Sequence, residues 1–286
     1  MKKEWNYLYA FLVFILTGVG MILIAILFLT VTMIAGGLAA GEVGMDLVED
    51  LYGTSYYEYL DVVCYTTVGA PFIIWYCFSF RRREQRPFQR IGGRLSPVSF
   101  LWTGILAVGL SYFARLIMFA IALVNPIAVE SYDNFAGSVG MQGYSLMWVF
   151  TTLVLAPIVE ETIFRGLILK YLQRAGAAFL VANLIQAACF GIYHGNIAQG
   201  IYTFVSGLFF GYVAWRYDSL IPGMFMHFLF NLFGTVGTDI QQTFLPDIIN
   251  VLLSGLLILG SVPMIAVSTL LIHFRVGETR KEEFIR

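Results

Sequence analysis

Three short stretches place side chains able to do acid–base chemistry inside apolar runs. "APIVEETIFRG" carries Glu160, Glu161 and Arg165, "FGIYHGN" carries His194, and "MHFLFN" carries His227 and Asn231. A charge at the centre of a bilayer costs about 2.5–3.5 kcal/mol even on lenient scales, so buried ionisable residues there mark function by default. Glu161 and Arg165 stand i, i+4 on one helix face and can neutralise each other. Glu160 is turned about 100° away at 3.6 residues per turn and is the carboxylate left for chemistry. His227 and Asn231, again i, i+4, project from one side of their helix.

A buried carboxylate beside an imidazole is a general-base arrangement for activating water. An imidazole and a carboxamide on the next helix can donate to a developing oxyanion. Together they would make an amide hydrolase that needs no Ser or Cys nucleophile. Two Glu and two His could instead hold Zn²⁺, with Glu160, His194 and His227 as the ligands, although no H-E-x-x-H is present. A third reading is a buried ion-pair network that only fixes helix packing, and Glu161 with Arg165 would satisfy it. Pro157, three residues before Glu160, should bend its helix and could open the wall beside Glu160 to water.

These residues need helices to carry them. The 286-residue chain is 59% hydrophobic and 12% charged, with a mean hydropathy of +0.79. Soluble domains are usually about 25% charged, so the composition predicts an all-α, polytopic membrane protein. Net charge is −1, which gives no reason to expect nucleic acid as a partner. Eight apolar spans are predicted, near 6–35, 56–80, 98–124, 145–172, 176–196, 198–216, 219–236 and 248–273. The chemistry-bearing helices form a bundled core over 145–236. Three spans precede it in 1–144, and a last helix with a cytoplasmic tail follows in 237–286. Gly207 and Gly211 form a GxxxG, with Gly200 on the same side, which predicts a close-packing face. At 1.5 Å per residue, Glu160, His194, His227 and Asn231 lie about 20, 27, 12 and 18 Å from the cytoplasmic ends of their helices. Allowing for tilt, they can meet in one layer.

Placing the N-terminus inside puts fifteen of the 17 Lys and Arg on the cytoplasmic face, as the positive-inside rule requires. The exceptions are Arg115 and Arg165. The opposite loops are acidic, with Glu42, Asp46, Glu49, Asp50, Glu58 and Asp61, then Glu130 and Asp133. The basic loop 81–94 is read as a topology determinant resting on anionic headgroups, ahead of specific lipid or substrate capture, and the first span as a retained anchor, although "GGLAAG" (36–41) resembles a cleavage site. Cys64, Cys77 and Cys189 read as small buried hydrophobes, and His273 as an interfacial residue.

The order E-E-x-x-x-R, F-x-x-x-H, H-x-x-x-N, written here as "EETIFR" (160–165), "FGIYH" (190–194) and "HFLFN" (227–231), resembles the CPBP family. That family comprises CAAX proteases and Abi-type bacteriocin-processing or bacteriocin-immunity membrane proteins. The motifs cover about residues 145–235. The resemblance implies an intramembrane endopeptidase in which Glu160 and His194 activate water and His227 with Asn231 forms an oxyanion hole. Glu161 would assist, and Arg165 would hold the glutamates. The family has been described both as metalloproteases and as metal-free glutamate proteases; we expect no cofactor, with Zn²⁺ as the alternative. The expected partners are the lipid bilayer and a membrane-associated protein or peptide substrate, in a bacterial plasma membrane. Peptide maturation, pheromone processing, regulated cleavage of a membrane protein and bacteriocin self-immunity are the expected roles, ahead of cleavage of a prenylated protein. The rival readings are a non-enzymatic immunity or scaffold protein and a proton-coupled transporter.

Overall fold

The computed structural model describes residues 3–40, 55–81, 95–138 and 145–285, and every regular element among them is a helix. The acidic stretch 42–50 and most of the basic loop 81–94 lie outside the described residues, as do the side chains of the tail beyond 276. We number the helices α1 (Lys3–Ala40), α2 (Ser55–Tyr76, continued as a π-helical turn over Cys77–Arg81), α3 (Pro97–Val124) and α4 (Pro126–Ser138). Next come α5 (Leu146–Arg174), α6 (Phe179–Tyr193), α7 (Ile197–Tyr217), α8 (Ile221–Gly234), α9 (Val236–Phe244) and α10 (Asp247–Ile285).

Six of these, namely α1, α2, α3, α5, α7 and α10, are long and apolar enough to cross a membrane. The chain is thus an all-α, polytopic membrane protein. The fifth and seventh expected spans are shorter than predicted: α6 has 15 residues and α8 has 14. Turn residues cut them back. Gly176 (φ +100°) and Gly195 (φ +68°) take left-handed conformations that favour glycine and bracket α6. Asn196 then caps α7 by accepting from the Gln199 amide. The left-handed Asp218 closes α7, and Pro222 stands in the first turn of α8.

Small residues set the helix spacing. A Cβ at Gly211 would lie 1.9 Å from Asn183 Oδ1, and one at Gly200 would lie 3.0 Å from the Gly191 carbonyl. The predicted glycine face is therefore real, and α6 occupies it. Gly69 on α2 is equally tight, since a Cβ there would meet Val159 Cγ2 of α5 at 2.5 Å.

Where α1, α2 and α5 meet near Tyr171, aromatic and basic side chains gather. Trp75 Nε1 donates to the Tyr171 hydroxyl at 2.8 Å, and Arg174 sits 3.8 Å over the Phe80 ring. Such a belt suits a membrane interface. Arg115, predicted as an exception to the charge rule, is fixed at the far end of α8. Its guanidinium donates to the Phe233 carbonyl (3.0 Å) and to Thr238 Oγ1 (2.5 Å), a side-chain cap for the helix that carries His227 and Asn231. Glu58 and Asp61 lie in α2 rather than in a loop, and buried Glu58 accepts from the Ser145 hydroxyl.

Candidate active site

The segment α5 is not a uniform α-helix. It passes from α (Leu146–Phe150) to a π-helical turn (Thr151–Leu155), back to α (Ala156–Glu160), then to π again (Glu161–Leu169) and ends as α (Lys170–Arg174). Such π segments are frequent at functional sites. Here the two glutamates straddle a change of register. Pro157 explains part of the first irregularity. In the π turn the Ala156 amide bonds back to the Thr151 carbonyl. The next amide in that register belongs to residue 157, and proline has none. The Thr152 carbonyl is left over, and Asn231 Nδ2 donates to it at 2.9 Å. The expected bend is thus a repaired π turn, and Asn231 is the repairing group.

Glu161 and Arg165 are both fully buried and form the predicted pair, with Nη1 to Oε1 at 3.0 Å. Arg165 Nη2 also donates to the Gly207 carbonyl at 3.3 Å, and the guanidinium lies 4.3 Å from the Phe190 ring centre and 5.1 Å from that of Phe210. Gln186 Nε2 donates to the same Gly207 carbonyl at 2.9 Å. A buried cation is therefore held by one carboxylate, one carbonyl and two aromatic faces, the company it needs away from water.

His227 joins the two glutamates. Its Nδ1 donates to Glu161 Oε1 at 3.0 Å, because a carboxylate can only accept. Its Nε2 lies 3.7 Å from Glu160 Oε2, too far for a direct bond. Phe210 stacks on the ring at 4.8 Å. Arg165 and His227 share Glu161 Oε1, while Oε2 is buried beside Gly223 with no hydrogen-bond partner among the described residues. Gly223, His227 and Asn231 follow at intervals of four, so one stripe of α8 faces α5.

His194 is the last residue before the left-handed Gly195, at the C-terminus of α6. Its Nδ1 contacts the Phe190 carbonyl at 2.8 Å. A carbonyl only accepts, so Nδ1 carries the proton, and a neutral ring offers Nε2 as a base. Glu160, His227 and Arg165 all lie within electrostatic reach of this ring. Glu161, Arg165 and His227 are thus bonded to one another, and Glu160 stands 3.7 Å from His227. His194 flanks them, and Asn231 stands one turn along α8.

The sequence reading missed a phenol. Tyr65 of α2 donates to Glu160 Oε1 at 2.5 Å, across 95 residues of chain. The sequence also gave no weight to Asn183 and Gln186, although two carboxamides three apart in an apolar run were a readable signal. Glu160 Oε1, His194 Nδ1 and His227 Nδ1 each have a hydrogen-bond partner, which leaves Glu160 Oε2 and the Nε2 atoms of both imidazoles. Among the described residues no group of three or more His, Cys, Asp or Glu side chains is placed to hold a metal ion.

Residues 141–233 match the family model described as type II CAAX prenyl endopeptidase Rce1-like. The match contains all three motifs and bears out the resemblance to the CPBP and CAAX proteases. At family level it supports a CAAX-type intramembrane endopeptidase. No curated protein and no solved structure matches the chain.

Proposed function

We propose, on the premise of that family match, that this membrane protein cleaves a peptide bond by a metal-free, glutamate-activated water. The observation that carries the reading is the position of Glu160. One carboxylate oxygen is held by a phenol at 2.5 Å, and the other faces His227 Nε2 across 3.7 Å, where no direct bond forms. Water held by Glu160 and His194 Nε2 loses a proton to this pair, and its oxygen attacks the scissile carbonyl carbon. The carbonyl's electron pair moves to oxygen. With Nδ1 committed to Glu161, His227 serves here as the imidazolium, and its Nε2–H and the second Nδ2 hydrogen of Asn231 donate to that charge. Collapse of the tetrahedral intermediate expels the amine, which takes up the proton. Glu161 and Arg165 touch no reacting atom; they hold His227 in place.

The substrate in this reading is a membrane-associated protein or peptide, in a plasma membrane with both termini cytoplasmic. Co-expression with candidate membrane peptides, with cleavage read by mass spectrometry, tests the activity. Wild type should cleave, and chelation should leave its rate unchanged. About one zinc per chain, tracking activity on removal and return, would overturn the metal-free mechanism. Solute transport without any peptide cleavage would favour the proton-coupled reading, since buried Glu and His also serve as relays. A scaffold would show neither.

Orientation is tested by thiol labelling in a cysteine-free background. Asp46→Cys should react with an impermeant reagent from outside and Arg86→Cys should not; the reverse pattern would invert the topology.

Asn231→Ala should have two separable effects. Loss of an oxyanion donor typically costs about 10²–10³ in kcat. Stranding the Thr152 carbonyl should cost about 1–3 kcal/mol of stability. Detergent melting curves and single-turnover rates separate the two, and an unchanged melt would remove Asn231 from the α5 repair.

A further inference from the structure

The segment that matches the family model does not complete the site by itself. Glu160 takes a hydrogen bond from Tyr65, which lies outside residues 141–233, on a helix where no motif was found. We propose that Tyr65, delivered by α2, is a positioning residue for Glu160. This rests on the endopeptidase reading and adds to it a requirement for the N-terminal helices.

Three observations support it. First, the bond is short and runs from a neutral donor to a carboxylate, the charge-assisted kind that fixes geometry most strongly. Glu160 lies at the junction of an α and a π segment, where the backbone alone controls side-chain aim poorly. Second, the phenol has only one proton, and it is spent on Glu160. A carboxylate can only accept, so the direction of this bond is fixed. Third, the close approach of α2 is built in. Gly69, one turn from Tyr65, faces Val159, the neighbour of Glu160, with no room for a Cβ. A larger residue there would force α2 away from α5 and lengthen the phenol–carboxylate bond.

The test uses the full chain, purified in detergent, with a cleaved membrane peptide as substrate. Tyr65→Phe should lower kcat by about 10–100-fold, since misplacing a reactive group by about 1 Å can cost about 10²-fold. KM and the melting temperature should stay near wild type. Replacing Tyr65 by p-aminophenylalanine, which restores a donor, should recover much of the rate. Gly69→Ala should lower kcat in the same direction. Wild-type kcat in Tyr65→Phe, while Glu160→Gln is inactive, would overturn the proposal. A fall in rate matched by a fall in melting temperature, without rescue, would reduce Tyr65 to a packing residue and overturn it too. A second readout needs no turnover. The infrared difference between wild type and Tyr65→Phe should contain a carboxylate band that vanishes on the Glu160→Gln background. If no variant cleaves any peptide but this band is present, the endopeptidase reading fails and the contact stands. If the band is absent, the contact fails whatever the activity.

Discussion

Glu160→Gln should abolish peptide cleavage and leave the fold nearly intact. The carboxamide has nearly the shape of the carboxylate and can still accept from Tyr65 through its oxygen. It cannot take a proton from water, and every step of the proposed reaction begins there. Among the described residues no Lys or Arg makes an ion pair with Glu160, so its replacement strands no such charge. The check is a pair of measurements on one preparation: single-turnover cleavage and a thermal melt. Substantial residual cleavage, or a melt far below that of Glu161→Gln, would mean that the two glutamates have exchanged roles.

The second large effect falls on the other glutamate's partner. Arg165→Met should destabilise the protein by about 3–5 kcal/mol, the usual cost of removing one member of a buried pair. Glu161 would be left fully buried with His227 as its only remaining partner. The Gly207 carbonyl would keep its bond from Gln186, so the loss falls on the charge rather than on the backbone. Glu161→Gln should destabilise comparably by stranding Arg165, and should also loosen His227. The double variant Glu161→Gln/Arg165→Met should be less unstable than the sum of its parts, because each single change leaves an unpaired charge and the double does not. Strict additivity in chemical or thermal unfolding would show that the pair is not coupled.

The glutamates, the arginine and both core histidines were legible because their types are conspicuous in apolar sequence. A Glu in such a run has to be explained, and i, i+4 spacing already pairs Glu161 with Arg165. The long helices were legible for the same reason, since unbroken hydropathy leaves little else for them to be. Tyr65 was not legible. It is one of 16 tyrosines, and a phenol in a membrane helix attracts no notice until its hydroxyl is seen on a carboxylate 95 residues away. The sharing of Glu161 between Arg165 and His227 depends on how α8 is rotated, which spacing along one helix does not specify. Likewise Pro157 announced a bend, but only the π register shows which carbonyl the bend sets free. The expected length of α6 failed because Gly176 and Gly195 act as stops at the ends of an otherwise apolar run, and that of α8 because Asp218 closes α7 and Pro222 fixes where α8 begins.

The shortness of those two helices bears on how water and peptide meet within a bilayer. At 1.5 Å per residue, α6 and α8 extend about 21–23 Å, against a hydrocarbon core about 30 Å thick. Helices that fall short by about 7–9 Å are accommodated when the surrounding lipid thins and its headgroups sink toward their ends. A dimple of that kind would form at an end of α6, and one of those ends is His194. Hydrolysis in a membrane needs a water molecule where lipid should exclude it. Where the lipid surface descends toward such a helix end, the distance that water and an extended substrate must travel through hydrocarbon shrinks with it.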